Sequence, residues 1–200
     1  MVFSTEFTAK PSLTDYLDCS AENQLGSDEG RREFVDGEII EMPPESPQNT
    51  LISLFLLIWF SRLVPLWWLR RMDTELVIGS RVRMPDFLVL GEELALALDE
   101  SGRSTITVDM PPPLLVVEVV SPGKANRDRD YRFKRSEYGA RSIPEYWIVD
   151  PEQEKISVLT LVDGWYEVEE FTEDEVIQSP QFANLNLIAH QVLNPKEGNS

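Results

Sequence analysis

Short apolar segments alternate with turn-forming residues along the chain, and their periodicities predict a mixture of strands and helices. The most strand-like segment is LLVVEVV at residues 114–120, which follows three prolines and ends at Ser-Pro. A Val/Leu run that is apolar on both faces predicts a central strand covered on both sides. A helical pattern at 126–141 and a second apolar run at 146–149 follow, so residues 114–151 predict one βαβ unit.

Turn dipeptides between apolar runs predict three β-hairpins. They are expected at 32–42 around Asp36-Gly37, at 73–90 around Gly79-Ser80, and at 155–168 around Asp163-Gly164. The remaining pattern predicts a short helix at 13–19, a loop at 21–30, a short helix within 91–103, an edge strand at 105–108 and a further short strand within 172–189. The fold class is therefore α/β (or α+β), with a mixed β-sheet flanked by helices and with N-terminal and C-terminal hairpins.

Residues 51–69 are mostly apolar and approach the length of a membrane span. Arg62 and Pro65 interrupt the run, and the longest uninterrupted part is shorter than the ~18 residues that a span needs. The pattern therefore favours a buried helix at about 47–63 and a strand that starts at 66–69 over a membrane helix.

Composition fits one domain. The 200 residues are 42% hydrophobic, which suffices for a single packed domain over 1–200, with a loose leader at 1–12 and a loose tail at 191–200. The single cysteine, Cys19, excludes an intramolecular disulfide and suits a reducing compartment. No signal peptide is evident, so we expect a cytoplasmic protein that does not insert in a membrane.

Charge is strongly negative and unevenly spread. The net charge of −17 opposes unspecific binding to nucleic acid. Residues 121–141 nevertheless hold seven basic and three acidic residues, whereas 162–175 hold seven acidic residues and no base. A polyanion is therefore expected to bind beside the central strand and not at the C-terminal hairpin.

Three charged residues form a candidate site. Asp86 follows a proline at the start of an apolar strand, Glu118 interrupts the central strand, and Lys134 shares a helix face with Tyr131 and Tyr138. A buried carboxylate is costly unless a cation compensates it. Two carboxylates beside a lysine fit a site for Mg²⁺, which prefers oxygen ligands. A buried ion pair between Glu118 and Lys134 without any chemistry explains the pattern equally well.

Several stretches together resemble the Uma-two family of restriction-endonuclease-like proteins, within the PD-(D/E)XK nuclease superfamily. The resemblance covers roughly residues 30–160. It rests on Met84-Pro85-Asp86, on Glu118-Val119-Val120-Ser121-Pro122, on Arg129-Asp130 with Lys134 and Tyr138, on the run from Ile143 to Pro151, and upstream on Glu33 to Glu38 and Met42-Pro43-Pro44.

This resemblance implies a restriction-endonuclease-like core and a Mg²⁺- or Mn²⁺-dependent endonuclease that hydrolyses DNA as a homodimer. Asp86 and Glu118 would be metal ligands together with the Val119 carbonyl, and Glu33 would add a further contact. Lys134 would be the catalytic lysine, moved from the strand onto the helix. A non-catalytic nuclease-fold interaction or regulatory protein, whose Asp-Glu-Lys cluster is structural, is the alternative.

The chain departs from the family pattern at two places. Val120 stands where the superfamily usually has its lysine, so activity depends on Lys134 reaching the site, and Lys124 is its rival. Gln48-Asn49 stands where a histidine often follows the proline-rich turn. His190 is the only histidine, and it is expected to be a surface or packing residue, so neither a zinc cluster nor a Ser-His-Asp triad is expected.

Overall fold

The structure, a computed structural model, describes residues 10–21 and 31–197. In that part of the chain the helices are α1 (Leu13–Ala21), α2 (Pro47–Phe60), α3 (Glu92–Ser101), α4 (Lys124–Asp128), α5 (Arg135–Ala140) and α6 (Ala189–Leu193). The strands are β1 (Arg32–Val35), β2 (Glu38–Glu41), β3 (Leu69–Arg70), β4 (Glu75–Ile78), β5 (Arg81–Arg83), β6 (Phe87–Val89), β7 (Thr105–Ile106), β8 (Leu115–Val119), β9 (Glu145–Asp150), β10 (Lys155–Val162) and β11 (Trp165–Thr172).

The described strands form two mixed sheets. A five-stranded sheet has the order β2-β1-β5-β4-β7, and a six-stranded sheet has the order β11-β10-β9-β8-β6-β3. Each sheet contains one parallel pair, β4 with β7 and β8 with β9, and the other pairs are antiparallel. The parallel β8–β9 pair is the predicted βαβ unit, whose crossover is the helical segment between the two strands.

Strand β8 is buried on both faces, as its continuous apolar sequence predicts. Val117 and Val119 pack into a core with α2 and the C-terminal segment, whereas Val116 and Val120 pack into a second core with α3 and Tyr138. Since side chains alternate along a strand, Glu118 lies on the second face, toward the helical segment.

Helix α2 begins at a capped N-terminus and is apolar around most of its circumference. The Ser46 side chain accepts a hydrogen bond from the Asn49 backbone N–H, and Pro47 occupies the first turn. Ile52, Leu56 and Phe60 are fully buried against the six-stranded sheet. Among the described residues no helix has both the length and the apolar character needed to cross a bilayer.

A continuous helical segment connects β8 to β9 and contains a π-helical stretch. Between α4 and α5, Arg129–Lys134 adopt π-helical hydrogen bonding, which inserts an extra residue per turn. Asp130 and Lys134, four residues apart on this stretch, both face the protein interior, where each is 1% exposed.

Three sequence predictions on the fold need correction. The partner of β4 across Gly79-Ser80 is the short β5, because Pro85 breaks the predicted strand 84–90 and the chain crosses to the other sheet as β6. Residues 66–68 form a 3₁₀ turn before β3. Part of the predicted loose tail is ordered, since Val192 and Leu193 are buried in α6. Residues 1–9 of the leader and most of the predicted loop at 21–30 lie outside the described residues.

Candidate active site

A buried ion pair between Glu118 and Lys134 forms the centre of the candidate site. The Lys134 Nζ atom lies 2.8 Å from Glu118 Oε2, and the two side chains are 2% and 3% exposed. The Tyr138 hydroxyl, one turn further along α5, donates a hydrogen bond to the other oxygen, Glu118 Oε1. The helical segment therefore provides both partners of the Glu118 carboxylate. Lys134 and Tyr138 are four residues apart and so lie on the same helix face, which explains why both reach it.

Lys134 is surrounded by further carboxylates. Its Nζ atom lies 3.5 Å from Asp130 Oδ1 and 3.6 Å from Glu33 Oε1. Burial alone would lower the pKa of Lys134, but Glu118, Glu33 and Asp130 outweigh burial and raise this pKa well above its ordinary value. These three carboxylates therefore favour the protonated, positively charged form of Lys134.

Asp86 directly precedes β6 and lies beside Glu118 of β8. The β6–β8 register pairs Phe87 with Val117, and continuing this register by one residue brings Asp86 opposite Glu118. The Val119 backbone N–H donates a 2.7 Å hydrogen bond to Asp86 Oδ2. Backbone pairing therefore fixes the relative position of the two carboxylates.

The second oxygen of Asp86 binds a guanidinium that the sequence analysis did not anticipate. Arg31 Nη2 lies 2.9 Å from Asp86 Oδ1 and also donates to the Met84 carbonyl at 2.7 Å, and Arg31 Nη1 lies 2.6 Å from Glu45 Oε1. Burial alone would lower the pKa of Arg31, but Asp86, Glu45 and Glu118 together raise it. A cation thus already lies among the carboxylates at this end of the site.

Asn49 covers the backbone carbonyl of Val119. Its side-chain amide donates to the Val119 oxygen at 3.3 Å, to Glu45 Oε2 at 3.2 Å and to the Ser121 hydroxyl at 3.3 Å. Asn49 is 2% exposed and lies in the first turn of α2. The residue that departs from the family pattern therefore contacts the carbonyl that the pattern predicts as a metal ligand.

Glu33 connects the site to the five-stranded sheet. Arg83 Nη1 donates a 2.7 Å hydrogen bond to Glu33 Oε2, and the same guanidinium forms two 2.7 Å hydrogen bonds to Glu137 of α5. Lys134 and Arg83 lower the pKa of Glu33, although burial opposes them. Glu33 therefore favours its ionised form and connects the helical segment to the five-stranded sheet.

The structure brings the sequence-predicted residues into one buried cluster. These are Asp86, Glu118, Val119, Lys134 and Glu33. The rival lysine, Lys124, is exposed at the start of α4, so Lys134 is the lysine that reaches the carboxylates. Their chemical roles remain predictions.

Other members of the cluster were missed because they come from distant segments. Arg31 lies 55 residues from Asp86 in the sequence, and Asn49 lies 70 residues from Val119. The sequence motif Arg129-Asp130 contributed to the family resemblance, but no role in the site was predicted for Asp130. The turn Glu45-Ser46-Pro47 predicts a helix start, but a helix start alone does not indicate that Asn49 faces the protein interior.

The donor atoms suit a hard divalent cation, but their present arrangement does not. Carboxylate and carbonyl oxygens are the ligands that Mg²⁺ and Mn²⁺ prefer. Among the described residues, however, no group of three or more His, Cys, Asp or Glu side chains is arranged to hold a metal ion. The Arg31 guanidinium stands in for a cation at Asp86, which shows that this end of the site accommodates positive charge.

The fold has counterparts among solved structures. A crystal structure described as a putative nuclease belonging to DUF820, from Anabaena variabilis, superposes with a TM-score of 0.67, over 92% of this chain and 98% of that chain, at 18% sequence identity. A search of curated proteins finds no match. The structural likeness confirms the predicted class, a nuclease-like α+β fold with mixed sheets and flanking helices.

The sequence comparison then gives the family. The Uma2 family, described as "Putative restriction endonuclease", matches residues 16–190. The chain belongs to this family, and the resemblance that the sequence motifs indicated is confirmed.

Proposed function

We propose that the protein is a Mg²⁺- or Mn²⁺-dependent endonuclease that hydrolyses phosphodiester bonds of DNA. The observation that carries the proposal is the buried cluster of Asp86, Glu118 and Lys134, in which backbone pairing aligns two carboxylates and a helix places an ammonium on one of them. Family membership supports the reaction class, and the oxygen donors support the choice of metal.

In this proposal Asp86, Glu118 and the Val119 carbonyl hold the cation, and Glu33 lies further back behind Lys134. When bound, the cation would supply Lewis-acid stabilisation of the charge that builds on the phosphodiester. The Val119 N–H and the Tyr138 hydroxyl orient the Asp86 and Glu118 side chains through hydrogen bonds.

Lys134 acts as a fixed positive charge and not as a general base. Because its pKa is raised well above the ordinary value, it does not lose its proton near neutral pH. A preorganised cation in a site without bulk water stabilises developing negative charge far better than it would in water. The carboxylates of Asp130 and Glu33 lie 3.5 Å and 3.6 Å from Lys134 Nζ, and they hold the ammonium in place by electrostatic attraction.

Substrate binding cannot rely on the whole basic segment. Most of its cations are engaged within the protein, as in the pairs of Arg127 with Glu152 at 2.6 Å and of Arg129 with Asp130 at 3.3 Å. Lys124 and Arg132 point outward, and the Arg132 side chain is 75% exposed. We propose that these two outward cations contact the DNA backbone beside the site.

Paired variants test the proposal. Purified protein should cleave plasmid DNA in the presence of Mn²⁺, and Asp86→Asn should abolish cleavage while it keeps the shape of the side chain. Asp36→Asn is the matched control, because Asp36 is an exposed carboxylate paired with Arg81 outside the site. If the wild type leaves every form of DNA intact with Mg²⁺ and with Mn²⁺, or if Asp86→Asn cleaves like the wild type, the proposal is wrong.

A second candidate function is a non-catalytic interaction protein with a nuclease fold. The observation that favours it is the internal pairing of the site, where Arg31 binds Asp86, Asn49 covers the Val119 carbonyl, and Lys134 binds Glu118. The two functions differ in their response to metal. A ligand that binds only the folded state raises the melting temperature, so Mn²⁺ should stabilise the enzyme and leave the interaction protein unchanged.

A further inference from the structure

Arg31 lies where the chain can release it. It precedes β1, and its carbonyl accepts a 2.8 Å hydrogen bond from the Met42 N–H, which continues the pairing of the β1–β2 hairpin. The guanidinium binds Asp86 and Glu45 and is only partly satisfied, because its buried Nε atom has no hydrogen-bond partner among the described residues. Rotating the side chain therefore breaks two ion pairs and the hydrogen bond to the Met84 carbonyl, but it breaks no backbone–backbone hydrogen bond of the hairpin.

We propose that Arg31 is a built-in cation that closes the metal position at Asp86, and that a divalent cation binds only when Arg31 moves away. This inference rests on the proposed function, since it concerns the same metal site.

The physical argument is a competition for the same oxygen atoms. Asp86 Oδ2 is already used by the Val119 N–H, so Oδ1 is the atom that is free to bind a cation, and Arg31 Nη2 lies 2.9 Å from it. If the metal-competent conformation is a minor one, the apparent dissociation constant is raised by the inverse of its population. Removing the guanidinium should therefore tighten metal binding, whereas a purely structural arginine would have no such effect.

Calorimetric titration with Mn²⁺ alone provides the first test. Arg31→Gln, which removes the charge and keeps a side chain of similar reach, should bind Mn²⁺ about tenfold or more tightly than the wild type. Arg70→Gln is the matched control, since it removes a partly buried arginine from a carboxylate outside the site, Asp99, and should leave Mn²⁺ affinity unchanged. Adding Asp86→Asn to Arg31→Gln should abolish the gain.

Thermal unfolding gives a second readout. Without metal, Arg31→Gln should melt below the wild type, because Asp86 and Glu45 lose their cation. Saturating Mn²⁺ should recover most of this loss and should raise the melting temperature of the variant more than that of the wild type. A loss that Mn²⁺ does not recover would mean that Arg31 is structural, and the proposal would be wrong.

A measurement on the wild-type protein tests the proposal even if Arg31→Gln does not fold. Titration with diamagnetic Mg²⁺ should move the Nε–Hε NMR signal of Arg31 toward that of an exposed arginine. An unmoved signal under Mg²⁺ saturation would overturn the proposal.

The outcomes separate this inference from the proposed function. Equal Mn²⁺ affinity of the wild type and Arg31→Gln, together with DNA cleavage, would reject the role of Arg31 and leave the endonuclease intact. Absence of Mn²⁺ binding in both proteins would reject both proposals.

Discussion

Tyr138 and Lys134 divide the two oxygen atoms of Glu118 between them. The tyrosine hydroxyl binds Oε1, and the lysine ammonium binds Oε2. Burial and the nearby Glu118 carboxylate raise the pKa of Tyr138 well above its ordinary value, so the hydroxyl stays a donor. An ionised carboxylate without one of these donors would retain a buried lone pair that water cannot reach.

We therefore expect Tyr138→Phe to destabilise the protein by about 1–3 kcal/mol, the range for leaving a buried partner unsatisfied. Tyr166→Phe is the control, because Tyr166 is also buried but donates to a neutral backbone carbonyl, that of Ile143, at 2.8 Å. Chemical denaturation of both variants measures the two losses. A loss at Tyr166 as large as that at Tyr138 would contradict the special role of the charged acceptor.

The sequence predicted the charged residues at the centre of the candidate site but not all of the residues that contact them. Glu118 was visible because it interrupts an apolar strand, and Lys134 because it shares a helix face with two tyrosines. The positions of Arg31 and Asn49 depend on how the hairpin and α2 approach β8, which no local pattern encodes. Their contacts with Asp86 and with the Val119 carbonyl could therefore be recognised only in the structure.

At the scale of elements, the start of α2 is both a structural cap and a part of the site. The Ser46 hydroxyl accepts from the Asn49 N–H at 3.0 Å and donates to the Asn49 side-chain oxygen at 3.0 Å. The second hydrogen bond orients the Asn49 amide so that its nitrogen faces the Val119 carbonyl. Ser46 is therefore a positioning residue as well as an N-cap.

We predict that Ser46→Ala lowers the free energy of unfolding by about 1 kcal/mol, as expected for the loss of an N-cap. Ser61→Ala is the control at the other end of α2, where the exposed hydroxyl only donates to the Ile58 carbonyl. Urea denaturation of both variants gives the comparison. Equal stability of the wild type and Ser46→Ala would mean that the cap contributes nothing to the helix.

The C-terminal segment is held on β9 by one buried carboxylate. Glu145 accepts hydrogen bonds from Trp147 Nε1 at 2.6 Å, from the Ser179 hydroxyl at 2.7 Å and from the Gln181 N–H at 3.0 Å. Burial raises the pKa of Glu145, and these donors offset the effect only in part. The segment after β11 therefore depends on a carboxylate that titrates differently in the folded and unfolded states.

This difference predicts a pH dependence with a definite sign. Because the pKa of Glu145 is raised above 4.5 in the folded state, the folded protein binds this proton more tightly than the unfolded chain does. The resulting stabilisation of the folded state is fully present below pH 4.5 and is lost as pH rises through the folded-state pKa. The stability of the wild type relative to Glu145→Gln should therefore fall as pH rises from 4.5 through the folded-state pKa. Glu169→Gln, which removes an exposed carboxylate on β11, is the control for the loss of one negative charge. A stability difference for Glu145→Gln that does not change with pH would contradict the raised pKa.

Elements with strong local signals were predicted, and those set by tertiary contacts were not. The hairpins around Asp36-Gly37 and Asp163-Gly164 form as expected, because the backbone of each turn adopts the positive φ that these residues tolerate. A strand forms within 84–90 as β6, but its predicted pairing with β4 was wrong, since Pro85 sends the chain from one sheet to the other. The burial of α6 likewise depends on α2 and β10, which are distant in sequence.

At the scale of the whole molecule, the two sheets meet at the helical segment between β8 and β9. Glu137 binds arginines of the five-stranded sheet, and Lys134 binds the central strand of the six-stranded sheet. The candidate site therefore lies at the junction of the two layers. Any change that separates the sheets would also separate Glu33 from Lys134.

The charge of the molecule is concentrated away from this junction. Exposed acids of β11 and the following turn account for much of the net charge of −17, and among them Glu170 pairs with Lys155 at 2.6 Å. Glu167 and Glu169 are exposed on β11 without a cation partner among the described residues. Like charges at this density repel each other and lower the stability of the folded state.

We therefore expect the double variant Glu167→Lys/Glu169→Lys to be more stable than the wild type by about 0.5 kcal/mol at low salt. The gain should shrink as NaCl rises from about 0.02 M to about 0.2 M, because added salt shortens the Debye length and screens the repulsion. Ser80→Lys is the control, since it adds positive charge to the exposed turn between β4 and β5, in the other sheet. Denaturation at both salt concentrations measures the effect. A gain that is independent of salt, or one that Ser80→Lys reproduces for each added charge, would show that the repulsion is not local to this hairpin.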